Sequence, residues 1–102
     1  MEKIINIDGK EIRFKANAAL PLHYATHFGS DVLVDAFDTD KDAGKNTVLM
    51  YRMIWALAYC ADNSISPLEK WIEEFESFPI YKIYNELSEM FWLSVRGITS
   101  KN

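Results

Sequence analysis

Residues 47–61, TVLMYRMIWALAYCA, carry one charged side chain, Arg52, and apolar side chains at every angle of a helical projection. A helix that is apolar all round is either the centre of a larger packing or a membrane span. Fifteen residues are too few to span, because a bilayer core needs ~20 apolar residues. The stretch is also too long for a typical buried strand and lacks alternation. The pattern predicts a central core helix over 47–61 that the other elements wrap, capped by Asn46 or Thr47. If so small a chain cannot cover that helix, Trp55, Tyr51 or Tyr59 would face a second copy or a partner.

Before it, residues 3–7 and 10–15 flank Asp8-Gly9. Asp-Gly between apolar runs is a strong hairpin signal, since both turn positions need positive φ. Ile5 and Ile7 alternate on one strand, and Ile12 and Phe14 on the other, so one face of the ribbon must lie on something. Residues 16–28 read as a helix with Asn17 as cap, Pro21 in its first turn and Gly29 as a left-handed stop. Ser30 is expected to cap a short helix over 31–37, with Val32, Leu33, Ala36 and Phe37 inward. Residues 38–46, DTDKDAGKN, have no apolar anchor and read as a loop.

After residue 61, DNSIS breaks the pattern. Ser66-Pro67-Leu68-Glu69 has the form of a capping box with proline at the first helical position. Leu68, Trp71, Ile72 and Phe75 then share a face, with Glu69, Lys70, Glu73 and Glu74 opposite. Phe78-Pro79 separates this helix from a last one. Its main stripe is Ile80, Ile83, Tyr84, Leu87, Met90, Phe91 and Val95. Gly97 is expected to end it, leaving residues 98–102 to fray. The fold class that emerges is mainly α (α+β), with an N-terminal β-hairpin packed on a bundle of about five helices. The chain is expected to form one domain over residues 1–97.

Composition narrows the function. Aromatic residues make up 14% of the 102 and hydrophobic ones 49%, more than a core of this size readily uses, and surplus aromatic surface tends to mark interaction faces. The net charge of −4 is uneven: residues 62–90 hold seven acids against Lys70 and Lys82. With no basic patch to hold a phosphate backbone, nucleic-acid binding is not expected. The final helix offers Lys82, Asn85, Glu86 and Glu89 where a DNA-reading helix needs mostly basic or amide side chains, and the preceding helix is acidic. A single cysteine, Cys60, forms no internal disulfide and reads as a small buried hydrophobe in a reducing compartment.

Candidate chemistry is sparse. His23 and His27 stand four apart and could share a metal, with Asp31 and Asp35 as further ligands, yet no glutamate follows His23 as in helical zinc proteases. Asp38, Asp40 and Asp42 alternate like a calcium loop, but the glycine is displaced and the closing glutamate is missing. No phosphate loop or nucleophile motif is present, so neither catalysis nor a cofactor or metal is expected. A second stripe on the last helix remains, with Tyr81, Asn85, Ser88 and Trp92. Its rings either anchor a protein partner or widen the core stripe.

The order of these features resembles the small tail assembly chaperones of long-tailed phages and prophages of Gram-positive bacteria. The resemblance rests on the hairpin centred on Ile7-Asp8-Gly9-Lys10 and on a helix running into Phe28-Gly29-Ser30-Asp31-Val32-Leu33. After an acidic loop come the Trp55-Ala56-Leu57-Ala58 helix, the block Glu69-Lys70-Trp71-Ile72-Glu73-Glu74-Phe75 and a closing amphipathic helix. It implies a non-catalytic scaffold in the host cytoplasm that binds the tape-measure protein and helps recruit tail-tube subunits. It implies no nucleic acid or membrane partner, and self-association is possible. Many such proteins are made in two lengths by frameshifting, and this chain would be the short form. The alternative is a small acidic adaptor or regulatory module of phage origin.

Overall fold

The computed structural model describes residues 1–37 and 43–96. Among them the chain forms two strands, β1 (Glu2–Ile7) and β2 (Lys10–Lys15). Five helices follow: α1 (Leu20–Phe28), α2 (Val32–Phe37), α3 (Ala43–Ala61), α4 (Leu68–Glu73) and α5 (Ile80–Arg96).

β1 and β2 pair antiparallel with Ile5 opposite Ile12 and Ile7 opposite Lys10. Asp8 and Gly9 sit at φ 56° and 80°, the positive pair that a tight primed turn demands. Ile5, Ile7 and Phe14 are buried on the face that lies along α3. The polar ends of the ribbon are anchored as well. Asp8 Oδ2 accepts from the Glu76 amide at 2.9 Å, and Lys10 Nζ donates to the Glu74 carbonyl at 2.8 Å. Lys3 Nζ donates to the Glu86 carbonyl at 3.1 Å. The hairpin thus clasps the chain between α4 and α5.

α3 is the centre of the fold, as its apolar run predicts. Met53, Ile54, Trp55, Ala56, Leu57 and Ala58 form an unbroken buried segment. Burial is not uniform along the helix, however: Val48 is 45% exposed, and Tyr51 and Arg52 are half-buried. α3 also begins earlier than the polar composition of residues 43–46 suggests. Asn46 and Thr47 lie inside the helix rather than at its cap, because extending a formed helix by a few residues costs little. The remainder of the expected loop, with Asp38, Asp40 and Asp42, lies outside the described residues, as do Gly97 and the tail.

Other boundaries shift for local reasons. α1 starts at Leu20 rather than near residue 16, because Asn17 instead closes a turn, its Oδ1 accepting from the Ala19 amide at 2.9 Å. Gly29 takes the expected left-handed stop at φ 64°. α2 is capped by Asp31, whose Oδ1 accepts from the Leu33 amide at 2.7 Å, not by Ser30. Leu33, expected inward, is 44% exposed, while Val32 fills the core. The capping box at Ser66 and Glu69 does not form. Pro67 stands at the N-cap with no side-chain bond, and the Ser66 hydroxyl instead donates to Glu74 Oε2 at 3.4 Å, while the Ser66 carbonyl accepts from Trp55 Nε1 at 2.8 Å. α5 buries Ile83, Leu87 and Phe91, with the rest of its main stripe half-buried.

Candidate functional site

The C-terminus of α1, the N-terminal half of α3 and α4 enclose an open groove of about 730 Å³. Helical spacing explains its walls. On α3, Val48, Tyr51 and Arg52 stand at i, i+3 and i+4 and share one face. On α4, Leu68 and Ile72 stand four apart and line the groove, while Trp71 turns into the core at 4% exposure. Phe28 of α1 completes the floor. Glu69 and Glu73, one position further round α4, form one lip.

Two aromatic assemblies fix the walls. On one side Trp55 stacks on Tyr59 (4.9 Å between ring centres) and meets Phe28 edge-on at 5.4 Å. On the other, Trp71, Phe75 and Phe78 form a triangle, and Tyr51 stacks on Phe78 at 5.8 Å. The bond from Trp55 to the Ser66 carbonyl ties the start of α4 to α3. Trp55 is therefore covered, and of the three rings considered for outward contact, Tyr51 is the one that lines the groove.

The electrostatics of the two sides differ. Arg52 lies 3.4 Å from Asp35 Oδ2 and 5.1 Å over the Phe28 ring. Asp35 also accepts from Tyr24 Oη at 2.6 Å and from the Ser30 hydroxyl. Burial pushes the Asp35 carboxyl up, but the Ser30 and Tyr24 hydrogen bonds and the Arg52 charge outweigh it and hold it below the ordinary carboxylate value. The Tyr24 phenol is raised, first by burial and then by its bond to Asp35. The groove's guanidinium is thus already paired. Glu69 and Glu73 are exposed and make no ion pair among the described residues.

The α5 stripe is graded rather than convergent. Tyr81 is 63% exposed and Asn85 is exposed, whereas Ser88 is half-buried. Trp92 is half-buried too and meets Phe91 edge-on at 5.3 Å, against the core. Tyr81 and Trp92 are separated by eleven residues, ~16 Å along a helix, so they form a line and not a pocket.

His23 and His27 face Tyr59 at 5.0 and 4.6 Å, and His27 Nδ1 donates to the His23 carbonyl at 2.9 Å. Among the described residues no three His, Cys, Asp or Glu side chains gather as metal ligands. Cys60 is half-buried, and burial pushes its thiol up. No described helix is long and apolar enough to cross a membrane. No protein family matches the chain, and neither a curated protein nor a solved structure is significantly similar to it.

The groove was not apparent in the sequence. Leu68 and Ile72 read there as part of a core stripe, and only the placement of α4 over α3 leaves them facing a gap. Four apolar positions over eight residues are the ordinary stripe of a surface helix, so the sequence held no separate signal for the groove.

Proposed function

We infer that the protein is a tail assembly chaperone of a long-tailed phage or prophage. It would be a non-catalytic scaffold in the host cytoplasm that binds the tape-measure protein and helps recruit tail-tube subunits. The observation that carries this reading is the apolar groove between α3 and α4. A groove walled by two helices and floored by Phe28, Val48, Tyr51, Leu68 and Ile72 suits the apolar face of a third helix. Tape-measure proteins consist largely of such helices, and shielding them during assembly needs a site of this kind. The order of hairpin, helices and the Glu69–Phe75 block supports the same reading. Tyr81, Asn85, Ser88 and Trp92 would supply a second protein-binding face, with its accessible part at Tyr81 and Asn85.

The test is co-expression with a tape-measure protein from the same phage or prophage genome. The expected result is a soluble complex that elutes as one species. Val48→Glu should weaken it strongly, because it places a carboxylate on the apolar floor opposite Glu69 and Glu73. Val48 is half-exposed, so the substitution should change stability by no more than ~0.5 kcal/mol. A tape-measure protein that stays insoluble beside the wild-type chain would reject the chaperone role. Recovery of a different partner through the same groove would favour the adaptor reading.

A further inference from the structure

The groove has one charged side that is satisfied and one that is not. Arg52 is held by Asp35, whereas Glu69 and Glu73 are left to solvent. Four residues apart on α4, the two carboxylates stand ~6 Å apart along the lip. An occupant must therefore bring an apolar stripe for the floor and positive charge on one flank only.

We propose that the occupant is an amphipathic helix of a partner protein with two lysines or arginines at i and i+4 beside its apolar stripe. It lies along α4 with those residues against Glu69 and Glu73. The footprint is short: α4 has six residues, ~9 Å, so about two turns of the partner are seated. A second copy of this chain supplies no helix with two lysines or arginines at i and i+4 among the described residues, the i, i+4 pair of α1 being His23 and His27. Lys82 of α5 is followed four residues later by Glu86, α4 holds only Lys70, and Lys45 and Arg52 of α3 are seven apart. The proposal rests on the client-binding reading for the helical nature of the occupant and adds its charge pattern.

The experiment uses two synthetic helices of ~20 residues, long enough to be helical in isolation. Both carry the same leucine stripe, flanked in one by lysines and in the other by glutamates at i and i+4. Each is titrated against the full chain by fluorescence anisotropy. The lysine helix should bind about tenfold more tightly, the scale of two rim ion pairs replaced by two repulsions. The double variant Glu69→Lys/Glu73→Lys should reverse the preference. Glu86→Lys/Glu89→Lys, which makes the same charge change on α5, should keep it. An unchanged preference in the α4 variant, or an equal loss in the α5 variant, overturns the proposal.

Co-expression separates this from the chaperone reading. A tape-measure protein held equally well by wild type and by the α4 variant removes the charge pairing and leaves the chaperone. A lysine helix that binds as expected while the tape-measure protein precipitates does the reverse.

Discussion

Replacing Trp55 with alanine should destabilise the protein by about 3–5 kcal/mol, the range for truncating a buried aromatic side chain. Trp55 is 2% exposed and touches Tyr59, Phe28 and His27, so its removal leaves a cavity bounded by rings that cannot collapse into it. The same change deletes the Nε1 bond to the Ser66 carbonyl, which anchors α4. For a domain whose total stability is about 5–15 kcal/mol, a large share of the folded population is at stake. Urea unfolding followed by far-ultraviolet circular dichroism measures the effect. Trp55→Phe keeps a ring but not the donor, and should lose roughly 1–2 kcal/mol for the bond and the smaller fill. A loss below about 1 kcal/mol in the alanine variant would mean that α3 is not held through this residue, since even modest core truncations exceed that.

The second large effect centres on Asp35. Asp35→Ala removes the acceptor of the fully buried Tyr24 hydroxyl and frees Ser30 and Arg52. Leaving a buried hydroxyl unsatisfied costs about 1–3 kcal/mol, and losing the charged partner of Arg52 adds to that. The pH dependence has a definite sign. The folded-state pKa of Asp35 is depressed, so its contribution is present above the unfolded carboxylate value and is lost as pH falls through the lower folded value. Asp35→Asn keeps an acceptor but not the charge. The stability gap between wild type and Asp35→Asn should be widest above about pH 4 and should close in more acidic solution. Paired thermal melts across that range measure it. A gap that widens toward acid would contradict the assignment.

Asp8-Gly9 and the alternation of Ile5, Ile7 and Phe14 made the hairpin legible, because turn chemistry and period-two burial are local properties. The central helix was legible for the same reason. The caps were not. A candidate cap can be drawn off by a partner outside the helix's first turn. Ser30 is taken by Asp35, so Asp31 caps α2; the Ser66 hydroxyl turns to Glu74, so α4 starts without a capping box. The anchoring of Lys3, Asp8 and Lys10 was not legible either, because their carbonyl and amide partners lie more than sixty residues away. Of the candidate site, the acidic lip was visible as the polar face of α4. The groove itself was hidden, since periodicity marks which positions are apolar and not which of them a neighbour leaves uncovered.

A client helix that enters between α3 and α4 would perturb the residues lining that groove. Amide chemical shifts of the full chain, recorded with and without a helical tape-measure segment, report that perturbation residue by residue. The largest shifts are expected at Phe28, Val48, Tyr51, Leu68 and Ile72, with Glu69 and Glu73 moving alongside them. Shifts confined to Tyr81, Asn85, Ser88 and Trp92, with the groove residues unmoved, would place the client on α5 and contradict entry between α3 and α4.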